Sequence, residues 1–158
     1  MRGMSTPRRM QLEAILDRAT RIQVVTTVLT MHAIATCAGI NTTDVQCLNL
    51  LVLDGPMTPS QLAATMTLSK GGAVTAMIDR LEKAGYLRRT RDPQDRRQVR
   101  VEIIEGEPIR QLANLFQPLA DTFAALVTNY TDDQIEFLAH HTTRSNNAIT
   151  RLQDSHPT

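Results

Sequence analysis

Residues 88–103, RRTRDPQDRRQVRVEI, hold six arginines against three acids. A guanidinium keeps its charge at any physiological pH and offers its donors in a planar fork that matches the oxygens of a phosphate or a carboxylate. The chemistry open to such a run is the capture of a polyanion. A charge run alone usually marks a solvated surface, so the elements that position it decide the reading. Val99, Val101 and Ile103 alternate with Gln98, Arg100 and Glu102, the period of a half-buried strand. Asp92-Pro93-Gln94-Asp95 suits a turn with proline at its second position. The arginines are therefore expected on a two-stranded hairpin.

Net charge over the whole 158-residue chain is +1, but it is unevenly spread. Residues 70–100 carry nine basic and four acidic side chains, a local +5, whereas residues 101–158 carry −5. Such a separation is the footprint of a surface that attracts an anion. Hydrophobic residues at 42% are ordinary for one domain, while aromatics at 3% leave the core to aliphatic and Met side chains. No apolar run follows MRGMSTPRRM closely enough to form a signal peptide, so a cytoplasmic location is expected. Residues 22–43 carry no charge, yet Gln23, His32, Asn41 and several threonines interrupt them. They are read as a buried helix rather than a membrane span, with His32 a core histidine.

Other residue types that could do chemistry fall away on spacing. His140 and His141 are adjacent, so on a helix they point about 100° apart and cannot share a metal as an i, i+4 pair does. Asp132-Asp133 opens a helix, where carboxylates complement the dipole. Cys37 and Cys47 have neither a CxxC spacing nor a secretory context, which argues against a disulfide. There is no GxSxG, no phosphate-loop glycine pattern and no carboxylate pair at helical spacing beside a histidine. No catalytic residue, metal site or cofactor is expected.

The helices that carry the hairpin are legible from local chemistry. Thr43 with Gln46, Thr58 with Gln61, and Thr131 with Gln134 each fit a capping box, and Pro59 suits the first position of its helix. The pattern predicts a long first helix over 8–37 ending at Gly39, with Leu12, Ile15, Leu16, Ala19 and Ile22 on one stripe. A second follows over 44–53, apolar nearly all round, and a short third over 59–66. A fourth, capped by Ser69, reaches residue 84 with Val74, Ile78 and Leu81 inward; Lys70, Gly72, Ala73, Ala76, Arg80 and Lys83 lie outward or lateral. A fifth starts at Pro108 and is kinked by Pro118. The sixth follows Thr131, with Ile135, Leu138, Ile149 and Leu152 on its buried side. The fold class is mainly α with one small β-hairpin.

A short helix, a tight turn, a helix with small outward side chains and an arginine hairpin together form a helix-turn-helix with a wing. Nothing bulky holds the fourth helix off the base edges of a major groove about 12 Å wide. The hairpin arginines can reach phosphates or an adjacent minor groove. Two segments carry a resemblance to the MarR family of bacterial transcription regulators. TPSQLAATMTLSKGGAVTAMIDRLEKAGYLRR resembles the family's helix-turn-helix, and DPQDRRQVRVEI its wing, with the Asp-x-Arg signature at Asp95 and Arg97. Ala76, where members often have arginine, and IEGEPIRQL, where they have Leu-Thr-x-x-Gly, depart from the pattern.

The resemblance implies a ligand-responsive, two-fold symmetric homodimer that represses by binding a palindromic operator in double-stranded DNA. It places base reading on the helix from Ser69 to Ala76 and a minor-groove arginine at Arg97, with Arg96 its rival. Motif and resemblance together give an expected DNA-facing set of Thr58, Ser60, Gln61, Ser69, Lys70, Gly71, Gly72, Thr75, Ala76, Arg80, Arg91, Asp95, Arg96 and Arg97. The family's effector pocket falls on His32, Thr36, Cys37, Cys47 and Phe116, for a small-molecule effector. Dimer contacts are expected at Leu12, Ile15, Leu16, Leu112, Leu119, Phe123, Leu126, Ile149 and Leu152, because a bare stripe over 112–127 exceeds the apolar patch that monomers tolerate. The implied organisation is an N-terminal dimerisation helix over 1–40, a reader over 41–105 and C-terminal dimerisation helices over 106–158. A winged helix used only for protein contact and a thiol-based redox regulator are the competing readings.

Overall fold

The computed structural model describes residues 6–68, 71–92, 95 and 97–155. These form two compact units that divide between residues 42 and 43. The first unit is one helix, α1 (Pro7–Ala38). Thr6 caps it by accepting from the Arg9 N–H at 3.3 Å, with Pro7 in the first turn, where a missing donor costs nothing. Gly39 closes it at φ 68°, and its N–H is shared by the carbonyls of Ala35 and Thr36. The bounds match those expected; the burial does not. Only Ile34 and Ala35 are buried, His32 is exposed, and Ile22, Val24, Val25, Val28 and Leu29 are each more than half exposed. The expected stripe itself, Leu12, Ile15, Leu16 and Ile22, is uncovered within the single chain, and so are the apolar residues beyond it.

The second unit runs α2 (Thr42–Asp54), α3 (Pro59–Thr65), α4 (Gly71–Lys83), β1 (Leu87–Arg91), β2 (Val99–Ile103), α5 (Glu107–Val127) and α6 (Asp132–Ser155). Helix α2 begins at Thr42, which puts Thr43 inside the first turn rather than at the cap. Val52 is exposed although this helix reads as apolar nearly all round. The capping boxes at Thr58 and Thr131 both form, with donor–acceptor distances of 2.8 and 3.1 Å at the first and 2.9 and 3.4 Å at the second. Strands β1 and β2 pair antiparallel with Leu87 opposite Ile103 and Arg91 opposite Val99. Met57, in the turn before α3, bridges to Val101 through two backbone hydrogen bonds of 3.1 and 2.8 Å. The hairpin is thereby tied to the base of the helix pair.

The core of this unit is built by Val45, Leu48 and Leu51 of α2, Leu62 of α3, Met77, Ile78 and Leu81 of α4, and Leu87 and Val101 of the hairpin. Each large aliphatic side chain removed from water in this way contributes about 1.5–3 kcal/mol. Helix α5 adds Leu112 and then continues through Pro118 as one helix to Val127. Phe123, Leu126 and Val127 of α5 are exposed, as are Ile135, Leu138, Ile149 and Leu152 of α6. The expected buried side of α6 is therefore uncovered in the single chain, because α2, α3, α4 and the hairpin close the core without it.

Candidate nucleic-acid interface

Between α3 and α4 the chain turns sharply, with Thr67 at φ 51° and the N–H groups of Thr67 and Leu68 bonded back to Ala64 and Ala63. Helix α4 then packs Val74, Met77, Ile78 and Leu81 inward and leaves Gly72, Ala73, Thr75, Ala76, Asp79 and Lys83 exposed. A Cβ built on Gly72 meets nothing within 4 Å. No described neighbour demands glycine there, so α4 faces open space at Gly72. Ser69 and Lys70, expected at the same edge, lie outside the described residues, as do Pro93 and Gln94 of the hairpin turn and Arg96.

Arg80, expected among the DNA-facing cations, instead forks onto Asp44 of α2: Nε donates to Oδ2 at 2.9 Å and Nη2 to Oδ1. The carboxylate is fully buried while the arginine remains nearly half exposed. Its hydrogen bonds to Asp44 raise the Arg80 pKa further. Such a pair serves the attachment of α4 to α2, and removing one partner would strand a buried charge.

The hairpin sorts its arginines in the same way. Arg88 pairs with Glu102 across the strands at 2.7 Å, and Arg89 reaches back to both Asp79 and Glu82 of α4. Arg100 Nε sits 2.7 Å from Asp92 Oδ2, a close charge contact whose angle is poor for a hydrogen bond. Arg91 and Arg97 are exposed, and no described carboxylate pairs with either. Asp95, expected to face DNA, shapes the turn: its carboxylate accepts the Arg97 N–H at 3.0 Å and its carbonyl the Gln98 N–H at 2.9 Å. Thr58 and Gln61 spend their side chains on the cap of α3, while Ser60 is exposed.

The ion-pair partners Asp44, Asp79, Glu82 and Asp92 were missed by sequence reasoning. The one available signal was Asp44 itself, a carboxylate in a helix otherwise apolar nearly all round. The expected effector residues divide between the units: His32, Thr36 and Cys37 are exposed on α1, Cys47 is buried and Phe116 is half-buried. Burial, with the nearby Asp44 charge, pushes the Cys47 thiol up to about 12, so it stays protonated and unreactive near neutral pH. Within the second unit Leu48, Val52, Ile109, Leu112, Phe116 and Ala120 line an apolar cleft of about 260 Å³.

A helix pair across a tight turn, followed by an antiparallel hairpin with exposed cations near its tip, is a winged helix-turn-helix. A family model described as MarR family matches residues 40–99. The uncharacterized HTH-type transcriptional regulator YcgE of Bacillus subtilis (strain 168) is 38% identical over 112 residues, 71% of this chain and 71% of that protein. The chain belongs to the MarR family. A MarR family protein from Bacillus stearothermophilus shares the fold with a TM-score of 0.66 at 20% identity, covering 89% of this chain and 97% of the other. A MarR variant from E. coli complexed with operator DNA has a TM-score of 0.52 at 22% identity, covering 84% and 95%. The protein is thus a DNA-binding transcriptional regulator and not an enzyme. Among the described residues no single helix is long and apolar enough to cross a membrane.

Proposed function

We propose that the protein is a cytoplasmic homodimeric repressor that binds a palindromic operator and releases it when a small apolar effector binds. The observation that carries this reading is the pairing of a surface of small side chains at the start of α4 with two exposed arginines, Arg91 and Arg97, at the tip end of the hairpin, which no described carboxylate pairs. Residues 69–76 then lie in the major groove and read bases, and Arg97, with Arg96 beside it in sequence, enters the minor groove. Residues 1–40 and 106–158 flank this reader as dimerisation arms. Their support is the exposed Leu12, Ile15, Leu16, Phe123, Leu126, Ile149 and Leu152, too much apolar side chain for a stable monomer surface. Two-fold pairing presents two α4 helices to successive major grooves about 34 Å apart.

The cleft beside Phe116 supports the effector assignment, since its size and apolar walls suit a small aromatic acid or phenol. Such a ligand releases DNA only by favouring the state whose heads do not fit the operator. The test is selection from a pool of random duplexes combined with sedimentation. An inverted repeat recovered by a dimer is expected, and Phe123→Asp should abolish dimerisation and selection together. A monomer that binds DNA undiminished, or a protein that recovers no preferred sequence, would defeat the reading. If every aromatic acid or phenol that raises the melting temperature leaves operator binding unchanged, the effector half of it fails.

A further inference from the structure

The outward side of α4 carries two carboxylates, Asp79 and Glu82, one turn apart, on the helix that is to approach a polyanion. Simple electrostatics makes them a cost, because a carboxylate near phosphate repels it. Their geometry supplies the reason for their presence. Arg89 of β1 places Nη1 on Glu82 Oε2 and Nη2 on Asp79 Oδ1, and its backbone N–H donates to Glu82 Oε1 at 3.0 Å. The arginine side chain is 31% exposed, so its charge is partly withdrawn from solvent and spent on α4. A forked guanidinium held on two carboxylates, plus a main-chain bond, fixes the angle of β1 to α4 as one lysine could not. Arg91, two residues along the same strand, inherits that angle.

We propose that Asp79 and Glu82 are positioning residues for operator recognition, bracing the wing to the recognition helix through Arg89 so that base-reading helix and wing-tip arginines meet DNA in one register. The inference rests on the operator-binding reading above and says how its specificity is set. With the brace intact, α4 and the wing engage the operator together, and wrong sequences lose both contacts. With the brace gone, the wing swings free and Arg89 becomes available to any phosphate. Specific binding then weakens while sequence-independent binding strengthens.

The experiment uses the full chain and the operator that the wild-type protein itself selects from random duplexes. Asp79→Asn with Glu82→Gln removes both charges while keeping size, and Arg89→Lys keeps the cation without the fork. Affinity for the selected operator and for a scrambled duplex is titrated across salt, and thermal melting confirms that each variant is folded. For the double variant the ratio of operator to scrambled affinity is expected to fall on the order of tenfold, as when a base contact is lost. Scrambled-duplex affinity should hold or rise, with a steeper salt slope as Arg89 takes up phosphate. Arg89→Lys should lower the ratio less. If affinity for both duplexes rises together and the ratio is unchanged, the acids merely repel DNA and the proposal is wrong. If the variant melts far below wild type, the ratio is read on Arg89→Lys alone, and an unchanged ratio there overturns it equally. Failure of the wild-type protein to select any sequence would instead refute the operator-binding reading itself.

Discussion

Arginines stand at both the base of the wing and its tip, but they put their charge to different use. At the base Arg88 and Arg89 each face a carboxylate of the same chain, and nearer the tip Arg100, opposite Thr90, faces Asp92; Arg91 and Arg97 face none of those described. Arg80 on α4 belongs with the base, being spent on the buried Asp44. A local excess of +5 over residues 70–100 is therefore not a count of cations available to DNA. Part of it is mortar between α2, α4 and the hairpin, and only the remainder can displace counterions from a phosphate backbone.

Substitutions at the two kinds of arginine should separate stability from binding. The largest effect is expected at Arg80→Ala, which strands the buried Asp44 carboxylate. Stability should fall by about 3 kcal/mol, the low end for a broken buried pair because Arg80 is partly exposed, and urea unfolding would show it as a lower midpoint. Arg97→Ala should do the converse, weakening operator binding by about 1–3 kcal/mol in titration while leaving the melting curve in place. A loss of stability at Arg97 would erase the distinction between tip and base.

Smaller effects sharpen it. Gly72→Ala fills open space on α4 and removes a residue with poor helix propensity, so stability should rise by up to about 1 kcal/mol. If the surface is bare in order to approach DNA, operator affinity should fall in the same variant. Removing Arg88 and Glu102 together, each to Ala, deletes a surface pair without changing net charge. Unfolding should shift by less than about 1 kcal/mol and the salt dependence of DNA binding should stay the same.

How much of this was legible in the sequence follows from the range of the forces involved. Capping boxes, Pro59 and Gly39 act within one turn, so α3 and α6 begin, and α1 ends, within a residue or two of where Thr58, Thr131 and Gly39 place them, although Thr43 lies inside α2 rather than at its cap. The hairpin followed from the alternation of Val99, Val101 and Ile103, and the resemblance of its motifs pointed to the family. The ion pairs were not legible, because Asp44 and Arg80 lie 36 positions apart and only the packing of α4 on α2 brings them together. Asp95 has a local role that its spacing did not reveal. Its signature spacing from Arg97 pointed toward DNA, yet its carboxylate acts locally, two residues along, to hold the Arg97 N–H. The burial expected of α1 and α6 failed because apolar periodicity says that a face must be covered and not which chain covers it.

The most direct test of the central claim, that α4 and the wing tip form the DNA-binding surface, is the salt dependence of binding to duplex DNA. For a dimer that neutralises roughly 6 to 10 phosphates, log K should fall against log salt with a slope of about −5 to −9. Arg97→Ala, which removes one cation from each head, should make that slope shallower by about 2. A flat response in the wild-type protein, or an unchanged slope when Arg97 is removed, would contradict it.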